Sequence, residues 1–502
     1  MNITESIARN AAAFPDRVAL IVNGRPCTYK TMWKSVYLVS YRLHEAGVRR
    51  GDCVALRLPD GLAFVVTVLA LARMGAAALP FRQNEQKQDF KEQLLRRHEV
   101  RYLLAEADYE FPGRHSLSIA LLQSKDVFSV PEGGRFKAPE IVSDADDLPW
   151  WVGLTSGTTG VPKSFVRKHA REVMLSSVYP GAEHDYYERV SVWVNCGMSL
   201  GMSALLRVLQ EGSTAVVKAE STPEAFFTHL LRDRPTCIIT STGNAGTLIQ
   251  HLKSSGEPPE KYRSIVKRFV MGGSVASPNL IAGLKNLLCE QVEIRYASSE
   301  SGLVAIVDDN VRKNSPNCHG RLFPWVQAQA LDSDGNVLAP SQIGALRFKT
   351  PFTIDEYVGD PEASAKAFRD GWHYPGDRGA VDAGGYLFLA GRTDAVINIG
   401  GDKVDAEIIE AALNSHPDVL ESAVTAFRTD GLHKIVAAVV TSATIDPEVL
   451  KQICREKIGT KGVPYHIAFT KALPKNEGGK IRRNAVAAMF SVVPKQDDLN
   501  VH

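Results

Sequence analysis

Short runs of apolar and β-branched residues alternate with longer segments whose apolar positions recur every three or four residues, over most of the chain. Residues 18–22 predict a strand and 29–46 an amphipathic helix. Residues 53–58, 76–79 and 102–104 predict further strands, with a helix at 62–74. Such strand–helix pairs imply parallel strands joined by crossover helices. The rhythm returns with strands at 191–194, 214–217 and 237–240 and a helix at 223–231. Between 320 and 389 it changes: short strands at 327–331, 345–348 and 386–389 are separated by turns such as Asp332-Ser-Asp-Gly335 and Asp382-Ala-Gly-Gly385, which reads as antiparallel structure. Beyond Gly391 a smaller α+β unit follows, with helices at 406–413 and 447–458 and strands at 421–427 and 434–440. The predicted boundary lies at Asp394, giving an N-terminal domain of residues 1–393 and a C-terminal domain of 394–502. Residues 124–146 read as a surface loop, and the tail after Pro494 as frayed.

The 502 residues give room for about two to four domains. With 58 Lys+Arg against 56 Asp+Glu, the charge balance excludes bulk attraction to nucleic acid or anionic lipid as the main business of the chain. The most apolar stretch, 62–80, is interrupted by Arg73, and its runs are shorter than the ~18 residues of a membrane span; it predicts a core helix and a short strand. Seven scattered cysteines without a C-x-x-C pair suit reduced thiols in a cytoplasmic enzyme rather than a zinc site. The N-terminus has no basic and apolar leader pattern.

Chemistry concentrates in Trp150-Trp-Val-Gly-Leu-Thr-Ser-Gly-Thr-Thr-Gly-Val-Pro-Lys163, where an apolar run enters a tract of small and hydroxylic residues that ends in a lysine. Small residues let successive backbone N–H groups converge on an anion, and lysine adds a point charge for phosphate. The tract is not a Walker A loop, because Pro162 stands where that motif needs glycine.

This tract resembles the phosphate loop of the adenylate-forming enzymes, a superfamily of acyl- and aryl-CoA synthetases, peptide-synthetase adenylation domains and luciferases. Four further segments resemble its motifs in the same order: Tyr296-Ala-Ser-Ser-Glu300, Gly371-Trp-His-Tyr-Pro-Gly-Asp377, Gly391-Arg-Thr-Asp394 with Gly400, Gly401 and Glu407 beyond it, and Pro474-Lys-Asn-Glu-Gly-Gly-Lys480. The resemblance implies an α/β fold: a large N-terminal domain of two doubly wound αβ subdomains plus a small β-barrel, and a smaller mobile α+β C-terminal domain. It implies that Thr155, Ser156, Gly157, Thr158, Thr159, Gly160 and Lys163 hold the phosphates of ATP, with Gly273 and Ser274 beside the nucleotide. Tyr296 would offer a face to the base, Ser299 a donor to the α-phosphate, and Glu300 a ligand for Mg²⁺. Asp377 would accept from the ribose hydroxyls, with Arg392 nearby. Lys480 would arrive on the mobile domain to offset the repulsion between carboxylate and α-phosphate, acting in catalysis with Glu300 and Lys163. Asp394 would be the hinge.

The sequence departs from the family pattern at Ser164, Ala297, Ser299 and Pro375; only Pro375 removes both a hydroxyl and a backbone donor. By spacing, the acyl pocket falls in 194–201, 240–244 and 271–274, with Gly197, Ser199, Thr242, Gly243 and Gly272 as lining residues. The first segment holds no acid to pair with an ammonium, so the expected substrate is a carboxylic acid lacking an α-amino group. Gly400 and Gly401 would let a pantetheine arm pass, whether of coenzyme A or of an acyl or aryl carrier protein. The expected enzyme is an ATP-dependent ligase making an acyl-AMP and then a thioester, with CoA as first acceptor and a carrier protein as alternative. A non-catalytic nucleotide binder and a luciferase-like oxygenase are the rival classes.

Overall fold

The computed structural model of the chain describes residues 1–80, 88–106, 119–131, 136–155, 162–178, 188–217, 222–393, 396–399, 402–429, 432–475 and 481–490. Ser156, Gly157, Thr158, Thr159, Gly160, Asp394, Gly400, Gly401, Lys480 and the tail after Pro494 lie outside these residues.

The first sheet runs in the order Ala120–Gln123, Tyr102–Ala105, Cys53–Arg57, Ala77–Pro80, Pro149–Leu154, Ser164–Lys168. All neighbours are parallel except the last pair. Helix Leu62–Arg73 is the crossover between Cys53–Arg57 and Ala77–Pro80, and every residue from Phe64 to Arg73 is buried. A helix that is apolar all round needs cover on all sides. It has that cover because one hydrophobic core joins this helix to Val54 and Trp151 of the first sheet and to Leu20, Val192 and Val217 of the second.

The second sheet has a parallel centre: Cys289–Ser298, Val266–Gly272, Cys237–Ser241, Arg189–Val192, Thr214–Val217 and Val18–Val22. Its edge is the hairpin to Arg25–Thr28, turned at Asn23 and Gly24, both with positive φ. That Asn-Gly turn matches the right-handed twist of a two-residue hairpin. At the other side the antiparallel strands expected between 320 and 389 continue the same hydrogen bonding through Gly302–Val307 and Gly320–Leu322 to Tyr386–Arg392, Asp377–Val381 and Gly344–Lys349.

The order of the parallel strands reverses at Arg189–Val192. Its successor Thr214–Val217 lies on one flank and the next strand, Cys237–Ser241, on the other. The carboxyl ends of strands flanking such a switch point leave a crevice. Segments 193–201 and 242–244 leave those ends, so the fold brings the expected acyl-pocket residues to one place.

The C-terminal part folds on its own sheets: Val396–Ile399 with Asp402–Asp405, and Val419–Thr429, Leu432–Thr441 and His466–Phe469 together. Helices Ala406–Leu413 and Pro447–Ile458 cover one face of the larger sheet, and Arg483–Ala488 packs on the other. Side chains cross to the N-terminal part. Asn279 Nδ2 donates to the His416 carbonyl at 2.9 Å, and Lys475 Nζ reaches the Gly243 carbonyl at 3.5 Å.

Several boundaries differ from the sequence reading. The strand expected at 191–194 is Arg189–Val192, and 124–146 begins with the helical turn Ser124–Val127. No disulfide joins the cysteines among the described residues. No helix among the described residues is long and apolar enough to cross a membrane.

Candidate active site

Strand Pro149–Leu154 delivers the chain to the Thr/Ser/Gly tract, and Ser164–Lys168 takes it back antiparallel. The Thr155 N–H donates to the Lys163 carbonyl at 2.8 Å and closes the mouth of the loop. Gly153 has a reason of its own: a Cβ there would stand 2.2 Å from Cζ of Phe165, whose ring lies flush on the neighbouring strand. The apolar lead-in therefore clamps the base of the loop.

From that base Lys163 projects over Tyr357, with Nζ 4.9 Å from the ring centroid, a cation–π distance. The Tyr357 hydroxyl donates to Glu300 Oε1 at 2.8 Å. Burial first, and the Glu300 charge second, hold the Tyr357 phenol far above its ordinary range, so it stays a donor. Glu300 keeps its second carboxylate oxygen for another partner. Hard oxygen ligands suit Mg²⁺, which binds through few carboxylates plus substrate phosphates. Glu300 could offer its second oxygen to a metal; among the described residues no group of three His, Cys, Asp or Glu could hold one.

Strand Cys289–Ser298 carries Tyr296, and strand Asp377–Val381 begins at Asp377. The Tyr296 phenol donates to Asp377 Oδ2, and Arg392 Nη1 donates to Oδ1 at 3.0 Å. Burial, reinforced by the Asp377 charge, pushes the Tyr296 phenol well above its usual range. The tyrosine ring is backed by Phe348 at a centroid distance of 5.6 Å. The departure at Pro375 is absorbed: its carbonyl accepts from Arg392 Nη1 at 3.3 Å, and Gly376, at φ +82°, turns the chain into Asp377.

Ser299 joins these groups to the acyl segments. Its Oγ lies 3.2 Å from Oγ of Ser199, the first residue of helix Ser199–Gln210. The segment before this helix is pinned by Asp60, whose carboxylate accepts from the Cys196 N–H at 3.0 Å, and by Asn195, whose Oδ1 accepts from the Gly197 N–H at 2.7 Å. Thr242 Oγ1 donates to the Ser274 carbonyl at 3.0 Å and so ties the second acyl segment to the third. Gly272 is pressed against the neighbouring strand, since a Cβ there would meet the Arg295 carbonyl oxygen at 3.0 Å. Gly273 has φ +99°, the left-handed region that favours glycine, and Ser274 beside it is exposed.

The structure thus links Thr155 to Lys163 and Lys163 to Glu300 through Tyr357, and Tyr296, Asp377 and Arg392 in a second network on the strand that runs into Ser299 and Glu300, with Ser199 attached through Ser299 and Gly197, Thr242, Gly243, Gly272, Gly273 and Ser274 on the acyl segments. It adds two residues that the sequence reading did not single out, Tyr357 and Asp60. Asp60 follows Pro59 and precedes Gly61, a pattern that reads as a simple turn. Its position just beyond a parallel strand was the available signal.

The model of the AMP-binding enzyme family matches residues 7–358, and that of the AMP-binding enzyme C-terminal domain matches 408–480. The chain belongs to the AMP-binding enzyme family. This AMP-binding enzyme is 28% identical to pyochelin synthase PchD of Pseudomonas aeruginosa, over 96% of this chain and 91% of the other. It is 27% identical to a 4-chlorobenzoate–CoA ligase of Arthrobacter, over 96% and 94%. In fold it matches the anthranilate CoA ligase AuaEII, solved with anthranoyl-AMP, at a TM-score of 0.86, with 20% identity and 97% of each chain covered.

Proposed function

We propose that this enzyme activates a carboxylic acid with ATP and passes the acyl group to a thiol. In the first step a carboxylate oxygen attacks the α-phosphorus, the bond to pyrophosphate breaks, and acyl-AMP forms. In the second a thiolate attacks the acyl carbon, the bond to the phosphate oxygen breaks, and AMP leaves. The carrying observation is the Ser299–Ser199 contact at 3.2 Å, which sets the expected acyl segment directly against the expected nucleotide segment.

In this reading Tyr296, Asp377 and Arg392 hold the nucleoside, and the loop from Thr155 to Lys163 holds the phosphates. The Tyr296–Asp377–Arg392 network orients the Asp377 carboxylate, which would accept from ribose hydroxyls. Glu300 would hold Mg²⁺, which when bound would neutralise phosphate charge. Lys480 would enter from the C-terminal domain, with Asp394 as hinge and the domain boundary beside it, and Gly400 and Gly401 would line the path of the thiol arm.

The acid lacks an α-amino group. Segment 194–201 carries no acid, and the Asp60 carboxylate is taken by the Cys196 amide. The names of the 4-chlorobenzoate and anthranilate relatives support an aryl acid. Coenzyme A is the first acceptor. Loading of a carrier protein is the second reading, favoured by the similarity to a protein named a pyochelin synthase rather than a CoA ligase. Cysteines that form no disulfide among the described residues suit the cytoplasm. A pyrophosphate-release screen over aryl and aliphatic acids, followed by turnover with CoA and with a holo carrier protein, tests the reading. Acid-dependent release with thioester on CoA supports it; no release with any acid contradicts it.

A further inference from the structure

Behind the turn that presents Ser299 and Glu300 lies Arg171, on helix His169–Val178. Its Nη2 donates to the Ser299 carbonyl at 3.2 Å and the Glu300 carbonyl at 3.4 Å. Nε and Nη1 are shielded from solvent and have no hydrogen-bond partner among the described residues. The adjacent Glu172 does not neutralise it at contact distance; that carboxylate lies 3.6 Å from Arg167 instead. Arg167 also donates to Ser203 Oγ. Burial and the neighbouring Arg167 lower the pKa of the Arg171 guanidinium, against the opposing charges of Glu172, Glu300 and Asp355.

A half-buried cation with two shielded guanidinium nitrogens and no carboxylate oxygen within ion-pair distance among the described residues is costly. The Glu300 carbonyl does not depend on Arg171, because the Ile354 N–H already donates to it at 2.8 Å, whereas the Ser299 carbonyl accepts its side-chain hydrogen bond from Arg171. What Arg171 adds is positive charge beneath a turn whose exposed side carries a carboxylate and a hydroxyl. A fixed charge in a poorly hydrated setting acts more strongly on a nearby anion than it would in water.

We propose that Arg171 is a positioning residue for the triphosphate: it clamps the Ser299–Glu300 turn from behind and sets a fixed positive charge under it. This rests on the reading that Glu300 and Ser299 face the phosphates of ATP. It would make the ATP end of the site, rather than the nucleoside end, depend on a side chain that touches no substrate.

The test is calorimetric titration of the full chain with ATP, with and without Mg²⁺, and with AMP, alongside thermal unfolding. Charge-assisted hydrogen bonds of this kind predict that R171M loses about tenfold or more of its affinity for ATP with Mg²⁺, while AMP affinity changes by no more than about twofold. R171K, which keeps the charge, should recover most of the ATP affinity. Wild-type ATP affinity in R171M overturns the proposal, as does an equal fall for ATP and AMP that tracks a lowered unfolding temperature. If R171M does not fold, R171Q, which removes the charge and keeps a donor, decides: selective weakening of ATP supports the proposal, and unchanged ATP affinity or a parallel loss of ATP and AMP overturns it. Failure of the wild-type protein to bind either nucleotide is a separate result that removes the ligase reading itself.

Discussion

The Tyr357 hydroxyl donates to Glu300 at 2.8 Å while the same ring lies 4.9 Å from the Lys163 ammonium. One aromatic side chain thus spaces the lysine that ends the proposed phosphate loop from the carboxylate proposed to hold the metal. Tyr357→Phe removes the hydroxyl and keeps the ring. A lost hydrogen bond to a charged group predicts a fall of about tenfold to a hundredfold in ATP–pyrophosphate exchange, with AMP affinity unchanged. Tyr357→Ala should also lower the unfolding temperature, because the ring packs with Phe165, Ile354 and Ala367. Exchange at the wild-type rate in the phenylalanine variant would show that the bond carries no function.

Asp377 is held by Tyr296 on one oxygen and Arg392 on the other. Asp377→Ala leaves Arg392 without that partner and removes the proposed ribose acceptor. ATP and AMP affinities should fall together, by about tenfold or more. Equilibrium binding of both nucleotides checks this, and an unchanged affinity would remove the ribose role.

Lys480→Ala should reduce adenylation by about 10²–10³-fold, the size of a lost transition-state charge contact. Thioester formation from supplied acyl-AMP should be largely spared. The comparison is between pyrophosphate exchange and single-turnover thioester formation; equal loss in both would contradict a lysine that serves only the first step.

Near the domain seam, burial and then the neighbouring Glu410 raise Glu407 to about 7. Asp405 is raised as well, by burial, while Arg483 lies within ion-pair distance of Glu407 and Glu410. A carboxyl with a raised folded pKa binds its proton more tightly when folded. Its stabilising contribution is complete below the unfolded value of 4.5 and is lost as pH rises through about 7. The C-terminal part should therefore be less stable at pH 8 than at pH 5.5 on this account. Glu407→Gln should flatten the difference and raise the unfolding temperature at pH 8 by about 2–4 °C. An unchanged pH profile in the variant would assign the titration elsewhere.

Much of the framework was legible because burial imposes period on sequence. Residues 18–22, 214–217, 406–413 and 447–458 appear as the elements Val18–Val22, Thr214–Val217, Ala406–Leu413 and Pro447–Ile458. The strand Arg189–Val192 was displaced by two residues because Trp193 and Val194, although buried, already belong to the turn toward the pocket. Arg25–Thr28 was missed because Pro26 argues against a strand, yet an edge position tolerates it. Of the candidate site, the motif residues could be named because each chemistry needs its residue type. Tyr357 and Arg171 could not, because their roles arise from packing between segments far apart in sequence, 57 and 128 residues from the atoms they hold.

The central claim is that a carboxylate oxygen of the substrate attacks the α-phosphorus of ATP. It is tested most directly with an acid identified in the pyrophosphate screen and labelled with ¹⁸O in its carboxylate, followed to thioester. One labelled oxygen should appear in the AMP released and none in the pyrophosphate. Unlabelled AMP, or label in the pyrophosphate, would contradict it.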